Sequence, residues 1–77
     1  MIEFALRGEW VPLDALLKAT GLAPSGGMAK RMVGQAQVRV DGAIELRKTC
    51  KVRAGQVVSL DDTQVQVVAG PASPQEP

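Results

Sequence analysis

The chain reads as an α+β domain: a short N-terminal strand, then a helix–turn–helix-like pair packed on a small, mostly antiparallel sheet. Three observations predict this. Apolar and polar residues alternate at the start; two short segments with helical spacing of apolar residues follow, punctuated by glycine, serine and proline; beyond residue 36 the spacing falls to two, interrupted by tight-turn dipeptides. Neither the helix pair nor the sheet has another place to bury its apolar side, so each layer must cover the other. A length of 77 residues suits one small domain, and a hydrophobic fraction of 45% supports a thin but continuous core.

Ile2, Phe4 and Leu6 alternate with Glu3, Ala5 and Arg7, a half-buried strand, and Gly8 to Val11 form a connection. Pro12 to Thr20 is a first helix: proline suits its first turn, and Leu13, Leu16 and Leu17 fall on one stripe. Gly21 stands where a left-handed C-cap is needed, Leu22 can fold back on the stripe, and Pro24 stops the helix. Ser25 caps a second helix that runs to about Ala36. Met28, Ala29, Met32, Val33 and Ala36 gather on its apolar side, with Gly27, Lys30, Arg31 and Gly34 opposite. Val38 and Val40 then alternate with Gln37 and Arg39 up to a hairpin turn at Asp41-Gly42. Ile44 to Val52 is irregular, with Cys50 and Val52 on one face. Ala54-Gly55 is a turn, Val57 to Leu60 a strand, Asp61-Asp62-Thr63 a turn and Val65 to Val68 the last strand. The domain therefore spans residues 1–69. Residues 70–77 are too poor in apolar side chains to pack and are expected to form a disordered tail.

A formal net charge of +1 conceals an uneven distribution. Residues 30–53 carry Lys30, Arg31, Arg39, Arg47, Lys48, Lys51 and Arg53 against Asp41 and Glu45, a net +5; the rest of the chain carries two basic and six acidic residues, a net −4. A basic middle between acidic flanks is the pattern of a polyanion binder, although a solvated basic face gives the same count. Catalysis lacks equipment. There is no histidine, and the lone Cys50 has no histidine to activate it and reads as a small core residue. One cysteine and scattered carboxylates do not make a metal site, and no cofactor or small-molecule substrate is expected. A single cysteine fits a reducing cytoplasm. No apolar run approaches the ~20 residues of a membrane helix, and no secretory signal is visible.

The stretch Ser25-Gly-Gly-Met-Ala-Lys-Arg-Met-Val-Gly-Gln-Ala-Gln-Val-Arg-Val-Asp-Gly resembles the core motif of the ribosomal-protein-S-four-type RNA-binding family. That motif has a serine opening a helix, an alanine four residues on, an apolar pair, then Val-x-Val-Asn/Asp-Gly. Lys51-Val52-Arg53-Ala54-Gly55-Gln56-Val57-Val58 resembles the family's closing strand, and Leu13-Asp-Ala-Leu-Leu-Lys its first helix. The likeness covers residues 12–60 and is greatest to small stand-alone bacterial members. It implies the αL-type RNA-binding motif, a helix pair plus hairpin presenting one basic surface to structured RNA. Ribosomal or transfer RNA, or a ribosome assembly intermediate, is the expected partner of a monomeric protein. In two places the chain departs from the pattern: Gly26 stands where many members have arginine, and Ala36 where many have glycine, with Gly34 two residues earlier.

On this reading Lys30, Arg31, Arg39, Arg47, Lys48 and Lys51 supply phosphate contacts. Ser25, Gly26 and Gly27 add backbone N–H groups at a helix N-terminus, where the helix dipole favours an anion. Ser25 can cap the helix at the same time, and Asp41-Gly42 serves turn geometry. Single-strand readers stack bases on exposed aromatic rings. Here Phe4 is expected in the core and Trp10 against the first helix, so recognition by shape and backbone charge is favoured. The alternative is a protein-interaction module on the same fold with weak or no RNA binding.

Overall fold

The computed structural model describes residues 2–70. It contains strands β1 (Ile2–Ala5) and β2 (Val11–Pro12), helices α1 (Leu13–Ala19) and α2 (Gly26–Gly34), and strands β3 (Val38–Val40), β4 (Ala43–Ile44), β5 (Lys51–Val52), β6 (Val57–Leu60) and β7 (Thr63–Val68). Five strands form one sheet in the order β1-β7-β6-β3-β4. Only the β1–β7 pair is parallel, and β2 and β5 form a separate antiparallel pair. The α+β architecture expected above is the one observed.

Helices of seven and nine residues are too short to persist alone in water, so packing holds them. Leu13, Leu16 and Leu17 of α1, with Ala29 and Val33 of α2, are completely buried. The sheet answers with the inward-facing Val38, Val40, Val58, Leu60, Val65 and Val67. Burial of each of these leucines and valines contributes roughly 1.5–3 kcal/mol before the cost of ordering the chain.

The helix ends depart from expectation in instructive ways. Pro12 is the N-cap of α1 rather than part of its first turn, because its backbone is extended (φ −64, ψ 143) and pairs with Lys51 in the β2–β5 ribbon. Thus the expected connection from Gly8 to Val11 ends in a strand, and the irregular stretch Ile44–Val52 begins in β4 and ends in β5. Gly21 takes the left-handed conformation (φ 81) expected of it. At the second helix Ser25 Oγ accepts the Met28 N–H at 3.1 Å, the predicted cap. The helix stops at Gly34. The Ala36 N–H then donates to the Val33 carbonyl and the Gln37 N–H to the Met32 carbonyl, both at 3.1 Å, which is a Schellman ending. Ala36 therefore sits at the left-handed position (φ 62) and is exposed instead of joining the apolar stripe, and Met28 is also exposed.

Asp41 and Gly42 both have positive φ, 54 and 85, as a two-residue hairpin turn requires. The Asp41 carboxylate also accepts the Val57 N–H at 3.0 Å and the Gln56 side-chain amide at 3.1 Å, tying the turn to the start of β6. Parallel pairing of β1 with β7 brings the two ends of the domain together, and Leu6 N–H continues it by donating to the Val68 carbonyl. A Cβ at Gly70 would collide with the Leu6 carbonyl, so only glycine fits this close approach. Apart from Gly70, the tail expected at 70–77 lies outside the described residues.

Candidate nucleic-acid interface

The first N–H groups of a helix need acceptors, and α1 has no side-chain cap to supply them. They find backbone carbonyls instead: Leu13 N–H donates to Cys50 and Asp14 N–H to Lys48, both at 2.9 Å. The segment between β4 and β5 is thereby strapped across the start of α1. A turn from Cys50 N–H to the Arg47 carbonyl (3.1 Å) tightens it. Glu45 fixes its near end, with Oε2 accepting both the Arg47 backbone N–H and its Nε at 3.0 Å. These hydrogen bonds from Arg47 hold the Glu45 carboxyl below the usual carboxylate range.

This strapped loop faces the outer side of α2, and the two enclose an open groove of about 530 Å³. Gly27, Lys30, Arg31 and Gly34 form the helical wall; Leu46, Arg47, Lys48 and Thr49 form the other. An added Cβ at Gly34 would meet no atom within 4 Å, and at Gly27 only Ser25 Oγ, at 4.0 Å. The two glycines therefore leave the helical wall open where Lys30 and Arg31 flank it. The groove is lined by four basic side chains and no acidic one.

Of the residues singled out from sequence, Gly27, Lys30, Arg31, Arg47 and Lys48 are brought together here. Ser25 and Gly26 lie at the N-terminal end of the same helix, with the serine oxygen engaged in its cap. Lys51 stands one step outside. It lines a smaller hollow with Arg47, Thr49 and Cys50, and its Nζ lies 4.9 Å from the centroid of the Trp10 ring. Arg39 is not part of the groove. Val38 and Val40 point inward, so the intervening Arg39 must project from the open face of the sheet, where it lines a different hollow with Gln37 and Ser59. Arg39 therefore does not share one continuous surface with α2, as the sequence reading expected.

Sequence reasoning missed Leu46, Thr49 and the clamp by Glu45. Leu46 is 61% exposed, and an apolar residue amid Glu45, Arg47 and Lys48 was the available signal. Trp10, expected against the first helix, is left 41% exposed, because the next residue, Val11, takes the inward side of β2. Cys50 is half-buried on the edge of the core, and burial raises its thiol above the ordinary range, which disfavours the nucleophilic thiolate. Among the described residues no cluster of three potential metal ligands occurs, and no helix is long and apolar enough to cross a membrane.

A helix pair on a small sheet, with a basic groove between the second helix and a strapped loop, defines a recognisable class. The chain belongs to the S4 domain family, which it matches over residues 4–68. It is 52% identical over 70 residues to "Putative RNA-binding protein YbcJ" of Escherichia coli (strain K12), covering 90% of this chain and all of that protein. The solution structure of E. coli YbcJ, described as revealing an αL motif involved in RNA binding, superposes with a TM-score of 0.70 at 48% identity, covering 90% of this chain and 89% of that one. A shorter likeness, 38% identity over 56 residues, is to a tyrosine–tRNA ligase of Ralstonia nicotianae; it spans 73% of this chain but 14% of the enzyme.

Proposed function

We propose that this protein binds structured RNA of the ribosomal or transfer class, without catalysing a reaction on it, through the groove between α2 and the loop from Glu45 to Cys50. The observation that carries the reading is the convergence of Lys30 and Arg31 from one element with Arg47 and Lys48 from another on one groove. Each pair alone would be an ordinary solvated face. Together, on a helix opened by Gly27 and Gly34, they can grip a polyanionic backbone from both sides. The N-terminus of α2 adds favourable dipole potential at one end of the groove.

The character of the groove points to backbone and shape recognition. A-form helices hide base edges in a deep, narrow major groove, so proteins read them through phosphates, 2′-hydroxyls and form. Lysine and arginine suit that task. Kinship with a protein named for RNA binding supports the class of ligand, and the short likeness to tyrosine–tRNA ligases supports a transfer-RNA-like shape within it. Nothing in the groove resembles catalytic equipment: its ionisable residues are lysines and arginines.

Crosslinking the protein to RNA in its own cells, followed by sequencing of the attached RNA, tests the reading. Enrichment of helical or junction segments of ribosomal or transfer RNA is expected, and it should vanish in a folded Lys30→Glu/Arg31→Glu/Lys48→Glu variant. Equal recovery of RNA by that variant would remove the groove from the account. Absence of enrichment in the wild type would favour a protein-interaction role.

A further inference from the structure

The groove does not end at Thr49. Arg47 and Thr49 also line the adjoining hollow of about 320 Å³ that holds Cys50 and Lys51, so the two depressions share a wall. Beyond Lys51 stands Trp10. Its position follows from the β2–β5 ribbon: Val11 pairs with Val52, which is fully buried, so the neighbouring residues Trp10 and Lys51 take the outward side. Their side chains meet there, ammonium over indole at 4.9 Å. The chain has one tryptophan, one phenylalanine and no tyrosine, yet it leaves the tryptophan 41% exposed while Phe4 packs against the core. A large ring left in water forgoes burial that a small core could use.

We infer that Trp10 and Lys51 form a stacking site for one unpaired nucleobase of the bound RNA, placed where the groove opens past Thr49. The inference rests on the groove being the RNA site. A phosphate backbone held by Arg47 and Lys48 passes within reach of the second hollow, and a base swung out of a bulge or junction can lie on the exposed indole surface. Lys51 holds the ring and meets the adjoining phosphate, and Thr49, which lines the hollow, carries a hydroxyl able to donate to or accept from a base edge. An aromatic ring beside cations is the arrangement that captures unpaired bases without strong sequence preference. The protein would thus select helices interrupted by an unpaired nucleotide over uninterrupted ones.

Because Trp10 is the sole tryptophan, intrinsic fluorescence of the full chain reports on this site alone. Two RNA hairpins serve as probes, one fully paired and one carrying a single bulged 2-aminopurine. The bulged hairpin should quench Trp10 emission and bind about tenfold more tightly than the paired one. Trp10→Ala should erase that preference and leave paired-hairpin affinity within about twofold, whereas Trp10→Phe should retain most of it. If both hairpins bind alike, with no quenching and no effect of Trp10→Ala, the stacking site is refuted and the groove reading stands. If neither hairpin binds at low salt, the groove reading fails and takes the stacking site with it.

Discussion

Ala36 shows how a single residue can work against its own backbone. The Schellman ending of α2 requires left-handed geometry there, and a Cβ in that region costs about 1–2 kcal/mol. Part of this is offset by the smaller unfolded-state freedom of alanine. Replacement by glycine should therefore stabilise the fold by about 0.5–1 kcal/mol, read as a rise in denaturant midpoint at unchanged slope. A decrease would mean that the helix ends elsewhere. The position was visible in the sequence as a departure from the family pattern, but its conformation was not, because a helical wheel continues through residue 36 without interruption. Glu45 is the second case. Its carboxylate is held by Arg47, so its folded pKa lies below its unfolded one. The clamp is therefore present above the unfolded value and is lost as pH falls through the folded one. In an NMR titration Glu45 should titrate below an ordinary glutamate, and in Arg47→Ala it should move back up.

At the scale of elements, the second helix was legible almost throughout. Ser25 announced its start, and the spacing of Ala29 and Val33 set its buried face. Met28 was expected on that face and is exposed instead, because a nine-residue helix on a thin core buries a stripe narrower than the apolar residues available to it. The loop from Glu45 to Cys50 was not legible. What positions it is a pair of backbone carbonyls capping α1, and backbone acceptors leave no mark in side-chain composition. The ribbon of β2 and β5 escaped for a related reason: two residues per strand are too few to show a period. Gly34 provides a test that separates fold from site. No atom would touch an added Cβ, and alanine is the better helix former, so Gly34→Ala should raise stability by roughly 0.5–1 kcal/mol. The same methyl group narrows the groove, so RNA affinity should fall although the protein is more stable. A variant that gains stability and keeps full affinity would show that the ligand does not approach this wall.

For the molecule as a whole, the near-neutral net charge is uninformative and the distribution decides. Most of the excess positive charge between residues 30 and 53 is drawn into one region by folding, because α2 and the loop approach each other while β3 sends Arg39 to the far face of the sheet. Counting charges along the chain could not make that separation, since it depends on which face of a strand a residue occupies. The central claim, that four cations on two elements hold an RNA backbone, makes a quantitative demand. Neutralising about four phosphates gives a slope of about −3 to −4 in a plot of log affinity against log salt, or roughly a hundredfold loss between 50 and 200 mM. The most direct measurement is that slope, obtained by fluorescence anisotropy with a labelled transfer RNA for the wild type and for a folded Lys30→Glu/Lys48→Glu variant. The groove predicts the steep slope for the wild type and a much weaker, shallower dependence for the variant. A wild-type slope near zero, or two superimposable curves, would contradict it.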